Sequence, residues 1–189
     1  MKKLLMVGGA LLLALNAFAE FAPQGTASSI ISDSQSQITV AFSPKQGATD
    51  AIVTFIGEAK ESIQVAAYSF TSPTIAKALL DAQQRGVDVS VVLDKSNETA
   101  QYTAATFLEN SRVPLRINHR YKIMHSKYMI IDGTSVETGS FNYTKSAEEG
   151  NAENVIIVRN NRDLAQAYHS NWQRLWNEGK PYASKRKTD

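Results

Sequence analysis

Cysteine is absent from all 189 residues, which excludes disulfides, thiolate metal sites, a cysteine nucleophile and a lipid-bearing N-terminal Cys. Histidine is scarce. The three residues, His119, His125 and His169, have no recognised ligand spacing, which argues against a histidine-based metal site. Long apolar runs are also lacking. The longest, Leu4 to Leu15, is shorter than the roughly 20 residues that span a bilayer, and no stop-transfer charges follow it. The apolar fraction of 43% and charged fraction of 20% are those of an ordinary folded protein, which excludes disorder, collagen and coiled coil.

The N-terminus reads as an address. Met1-Lys2-Lys3 precedes the apolar run, and Ala17-Phe18-Ala19 supplies a small-x-small cleavage pattern, so residues 1–19 are expected to be a signal peptide cut before Glu20. The expected location is periplasmic or secreted, with no stable membrane association. Residues 20–37, rich in Ser, Gln, Ala and Gly, read as a flexible lead-in, and residues 38–189 as a single domain. Removing Lys2 and Lys3 leaves 18 positive and 18 negative side chains, unevenly placed. Residues 20–110 carry a net −5, whereas residues 111–131 carry Arg112, Arg116, Arg120, Lys122 and Lys127 with no acid. Such segregation gives a neutral molecule a local positive field suited to an anionic substrate.

Periodicity predicts strands at 38–42, 63–69, 87–93, 114–118 and 153–159, and helices at 48–60, 73–85, 98–110 and 163–177. Ser72-Pro73 is an N-cap followed by Pro at the first helical position, and Gly86 ends that helix. Residues 127–131 and 135–138 read as a hairpin around Asp132-Gly133. The alternating opening predicts an α/β fold: a mixed, largely parallel β-sheet flanked by helices on both faces, extended by antiparallel strands.

The chemistry lies between His125 and Glu153. Alternation on an extended backbone points His125 and Lys127 one way, and likewise Ser140 and Asn142. If the two segments are neighbours, an imidazole, an ammonium, a hydroxyl and a carboxamide converge. Lys127 and Asn142 can hold non-bridging phosphate oxygens while the imidazole serves as nucleophile, base or acid near neutral pH. Asp132 has the wrong parity for that face and is assigned a supporting role, closing its turn or pairing with a cation beside the site. Glu153 is expected to hydrogen-bond the imidazole and set its tautomer.

His125-x-Lys127-x4-Asp132-x6-Gly139-Ser140-x-Asn142 resembles the HKD signature of the phospholipase D superfamily. By itself H-x-K-x4-D arises by chance in roughly one chain in a hundred, and the appended G-S-x-N lowers that by several further factors of ten. The resemblance implies a phospholipase D-like fold and catalytic roles for His125, Lys127, Asp132, Ser140, Asn142 and Glu153. It also implies a phosphohistidine intermediate, with no cofactor and no metal. Superfamily enzymes use two HKD motifs, one histidine attacking phosphorus while the other protonates the leaving oxygen. This chain has one copy, so the resemblance implies a homodimer that completes the site.

The expected substrate is nucleic acid, DNA with RNA left open, cut with little sequence preference. Arg116, Arg120, Tyr121 and Lys122 are the candidate substrate contacts, Tyr121 by stacking on a base. A lipid phosphodiesterase and an inactive nucleic-acid-binding module are the alternatives. His119 reads as a surface loop residue. His169 reads as core packing beside Leu164, Tyr168, Trp172, Leu175 and Trp176. Lys185-Arg186-Lys187 reads as a tail able to touch phosphates weakly.

Overall fold

The computed structural model describes residues 35–99 and 103–183, so the expected signal peptide, most of the expected lead-in and the basic tail lie outside the described residues. Eight strands form one mixed sheet. They are β1 (Gln37–Ser43), β2 (Ser62–Ala67), β3 (Asp88–Asp94), β4 (Leu115–Asn118), β5 (Lys127–Ile131), β6 (Ser135–Gly139), β7 (Glu153–Arg159) and β8 (Lys180–Pro181). The helices are α1 (Ala48–Glu58), α2 (Pro73–Gln84), α3 (Ala104–Asn110), α4 (Lys145–Glu149) and α5 (Arg162–Glu178). The spatial strand order is β1-β7-β6-β5-β2-β3-β4-β8.

The sheet is less parallel than its opening rhythm predicts. Only β2–β3 and β3–β4 pair in parallel, and the other five pairings are antiparallel. The departure is β1. Instead of joining β2, it runs to the far edge and pairs with β7 from Gln37↔Arg159 to Ser43↔Glu153. The helix expected at 98–110 is two shorter pieces, a 3-10 turn at Lys95–Glu98 and α3. Asp94 caps the first by accepting from Ser96 N–H, and Thr103 caps the second by accepting from Ala105 N–H. The short α4 and β8 were not anticipated, because neither is long enough to show a period.

Two apolar layers cover the sheet. One face packs α1, α2 and α3, burying Ile52, Phe55 and Ile56 from α1 and Ile75 and Leu79 from α2. Ser72 caps α2 as expected, its hydroxyl accepting from Ile75 N–H at 3.3 Å. The other face packs α5, whose Ala165, Trp172 and Leu175 lie against Ala66, Val92, Tyr128, Ile130 and Val136. Each fully buried Ile, Leu or Phe contributes about 1.5–3 kcal/mol. With both faces of the central strands covered, chemistry is left to the strand ends and the loops beyond them.

Candidate active site

The site forms where the carboxyl ends of β2 and β6 meet the amino ends of β5 and β7. Lys127 stands opposite Ala67 of β2, and the β5–β6 register brings it beside Gly139. Gly139 in turn opposes Val155 of β7. An added Cβ on Gly139 would lie 2.1 Å from Asn154 O, so only a glycine lets β6 approach β7 this closely. Beyond it the chain bends over the strand end, with Ser140 N–H and Phe141 N–H both donating to Asn154 O.

His125 is exposed, its ring 4.6 Å from that of Tyr68 at a 55° tilt. Lys127 is 7% exposed; its Nζ donates to His125 O at 2.9 Å and lies 5.1 Å from the Tyr68 ring centroid. Burial holds the Lys127 ammonium below the ordinary lysine range, an effect that the nearby Glu153 carboxylate opposes. Ser140 Oγ donates to Glu153 Oε2 at 2.5 Å and accepts from Asn154 N–H at 3.0 Å. Asn142 Oδ1 is buried without a hydrogen-bond partner among the described residues. An open cavity of about 460 Å³ faces this cluster, lined by His125, Lys127, Thr138, Gly139, Tyr168 and Asn171. A buried cation beside an exposed imidazole at this opening suits an anionic group, and of the Asn142 carboxamide only the NH₂ could donate to one. Among the described residues no group of three or more His, Asp or Glu is placed to hold a metal ion.

Over residues 52–176 the chain matches the family described as "Cardiolipin synthase, PLD-like domain". It belongs to the phospholipase D superfamily. As such it is a phosphodiesterase. Among curated relatives it is 41% identical over 139 residues to the "Phospholipase D" of Rickettsia prowazekii (strain Madrid E), covering 74% of this chain and 67% of that one. It is 34% identical over 123 residues to the "Mitochondrial cardiolipin hydrolase" of Xenopus tropicalis, covering 65% of this chain and 58% of that one. Among solved structures it is similar to Nuc from Salmonella typhimurium, a phospholipase D family member. That match has a TM-score of 0.77 at 41% identity and covers 79% of this chain and all of that one. NucT from Helicobacter pylori shares the fold, with a TM-score of 0.71 at 24% identity and coverage of 78% of this chain and all of that one.

Within this superfamily signature the structure separates two groups. His125, Lys127, Ser140, Asn142 and Glu153 come together at one sheet end. Glu153, however, does not hold the imidazole. Its oxygens accept from Ser140 and, at 3.0 Å, from Asn151 Nδ2, so it braces the Ser140 turn. Asp132 is not at the site at all. It lies at the opposite end of β5, about 17 Å along the strand from Lys127 at roughly 3.4 Å per residue. Its carboxylate accepts from the backbone N–H groups of Lys60, Glu61 and Ser62 at 2.8–3.3 Å, tying the α1–β2 connection to the hairpin turn. Asp132→Ala is therefore expected to cost about 1–3 kcal/mol of stability, seen as a lower urea midpoint, while turnover per folded molecule stays unchanged. Turnover lost at unchanged stability would contradict this assignment.

The expected substrate contacts divide as well. Arg116, on β4, spends its guanidinium on Trp176 O at 2.9 Å and stacks on the Trp176 ring, which anchors the end of α5. The Tyr121 hydroxyl is held by Glu178 and Arg174 and the Arg174 guanidinium lies 5.7 Å over its ring, so that ring is not a free platform. Arg120 and Lys122 are exposed, with no side-chain partner among the described residues. Of the four candidates, these two remain available to an incoming anion. His119 pairs with Glu98 at 2.9 Å and His169 with Gln64 at 2.8 Å, each outside the cluster.

Three residues that shape the site were missed. Tyr68 packs on both His125 and Lys127. Buried Asp94 accepts from Met124 N–H at 2.7 Å, fixing the strand-end segment that carries His125. Buried Asn97 donates to Tyr68 O at 2.6 Å and accepts from Phe70 N–H at 3.2 Å. A usable signal existed for Asp94, since ligand sites of open α/β sheets gather at carboxyl ends of parallel strands.

Proposed function

We propose that the chain is a metal-independent, sequence-nonspecific endonuclease that hydrolyses DNA phosphodiester bonds as a homodimer. The observation that carries the reading is one His125–Lys127 set per chain, lining an open cavity at the sheet end where Ser140 and Asn142 follow β6. His125 attacks phosphorus, the bond to the leaving oxygen breaks, and the partner's His125 gives that oxygen a proton. Water then attacks the phosphohistidine, loses its proton to the same partner imidazole and releases the first histidine. Lys127 and Asn142 hold the non-bridging oxygens as their charge grows. The exposed cations Arg120 and Lys122, and the 41% identity to the neighbour named Nuc, favour nucleic acid. Export after removal of residues 1–19 suits an enzyme that meets foreign or spent nucleic acid outside the cytoplasm.

The exposed side of β1 offers the dimer a seat. Ile38, Val40 and Phe42 of β1 are 62%, 54% and 49% exposed, on the sheet face that α5 covers elsewhere. Phe42 pairs with Asn154 beside Glu153, so a second copy docked on this face arrives next to the site.

A lipid substrate is the second reading, favoured by Ile123, which is 48% exposed two residues before His125, and by the names of the Rickettsia and Xenopus relatives. No helix among the described residues is long and apolar enough to cross a membrane. Plasmid nicking in EDTA, run beside phosphatidylcholine hydrolysis and light scattering, tests the reading. Nicking by a dimer at full rate in chelator is expected. Loss of nicking with chelator, lipid turnover without nicking, or an active monomer would each overturn its corresponding part.

A further inference from the structure

Glu137 and Tyr143 are both fully buried, and the Tyr143 hydroxyl donates to Glu137 Oε2 at 2.6 Å. The two residues bracket Gly139-Ser140-Phe141-Asn142, so their side chains close a short loop around the whole second half of the signature. Glu137 is anchored in β6, opposite Met129 and Ile157. Tyr143 is anchored on the other side, its carbonyl accepting from Thr71 N–H and Ser72 N–H at 2.9 Å each, with its ring edge-on to Phe70 at 5.6 Å. Phe70 and Tyr68 are in turn held by Asn97. The side-chain bond therefore closes the turn bearing Ser140 and Asn142, and the Tyr143 carbonyl and ring tie that turn to residues 70–72, next to the Tyr68 that supports His125.

A buried acid is a costly way to fill a core, and Glu137 Oε1 has no partner among the described residues. Leucine and phenylalanine would fill the same space without that cost. We propose that Glu137 and Tyr143 are positioning residues, their buried hydrogen bond setting the path of residues 139–142 and so the placement of Ser140 and Asn142 for the phosphodiester reaction. The inference rests on the reading of the site given above. It places the effect in the transition state, where small displacements of charge-stabilising groups cost most.

Burial pushes the Glu137 carboxyl up to about 8, against an ordinary value of 4.5, and the tyrosine bond only partly opposes this. Tyr143 is pushed up too, by burial and by Glu137, with Tyr128 adding to it; these are the titratable groups that act on the pair among the described residues. The folded chain thus holds a proton that the unfolded chain releases, so wild-type stability falls as pH rises from about 4.5 through about 8. Glu137→Gln, neutral at every pH, should lack that slope and keep turnover within about threefold by preserving the tyrosine bond.

The deciding variant is the double replacement Glu137→Leu with Tyr143→Phe, which removes both polar partners and keeps the volume. It is assayed with bis(p-nitrophenyl) phosphate beside wild type and His125→Ala, with melting curves for all. The expected result is a melting temperature at or above that of wild type, kcat lowered by about tenfold or more, and KM within about threefold. Wild-type kcat in the double variant, with His125→Ala inactive, overturns the clamp and leaves the site reading standing. Equal turnover by wild type and His125→Ala overturns the site reading itself. Should the double variant not fold, Tyr143→Phe and Glu137→Gln decide by themselves. Equal kcat in both at wild-type level overturns the clamp, and loss in the first with retention in the second supports it.

Discussion

His125→Ala is expected to lower phosphodiester turnover by about 10⁴-fold or more, with a melting temperature indistinguishable from wild type. The imidazole is exposed and makes no side-chain hydrogen bond among the described residues, so removing it costs the fold only its contact with Tyr68. The chemistry loses far more. In a shared site each histidine has a separate task, nucleophile or acid, and general acid catalysis alone is typically worth about 10²–10⁴ in rate. Mixing gives a second readout. When wild-type and His125→Ala chains are unfolded together in equal amounts and refolded, a site built from two subunits retains about a quarter of the activity, because only wild-type pairs work. Independent sites retain about half. Kinetics on the refolded mixtures separate the two, and retention of half sinks the shared site.

Among the described glycines, Gly139→Ala is expected to be the most damaging replacement. Its Cβ would sit 2.1 Å from Asn154 O, 2.9 Å from Asn154 C and 3.1 Å from Val155 Cα, all of them backbone atoms. No rotamer change relieves such a clash. Either β7 moves away from β6 or the turn after Gly139 is rebuilt, at about 3 kcal/mol or more. Both responses break the Ser140–Glu153 bond and the two N–H donations to Asn154 O. Urea unfolding should show a markedly lower midpoint, and the molecules that still fold should turn over poorly. A variant that unfolds and works like wild type would show that the two strands lie farther apart than this.

Much of the site was legible in the chain because it depends on local geometry. Residue order placed His125 and Lys127 at the head of β5 and Ser140 and Asn142 just past the end of β6, and Asp132-Gly133 marked the turn that makes those strands neighbours, although the chain bends at Ser140 and does not keep the two-residue period there. Ser72-Pro73 located the start of α2 for an equally local reason. The missed residues depend on partners far away in sequence. Glu137 falls on alternate positions to Val136, so a strand wet on one face would turn it outward. It is buried because β6 is an interior strand covered on both faces. Arg116 and Tyr121 looked like substrate contacts because a run of cations says nothing about which of them meets Trp176 or Glu178.

What the amino-acid order determined unaided was the longer helices and strands, the hairpin and the chemical character of the site, since these follow from backbone periods and from residue types a few positions apart. Tertiary structure alone decided that β1 crosses to pair antiparallel with β7, that Glu153 braces Ser140 in place of the imidazole, and that the Asp132 carboxylate holds the N–H groups of Lys60, Glu61 and Ser62. Strand order and carboxylate partners are settled by competition among distant segments for burial and for N–H donors, and that competition leaves no periodic mark on the sequence.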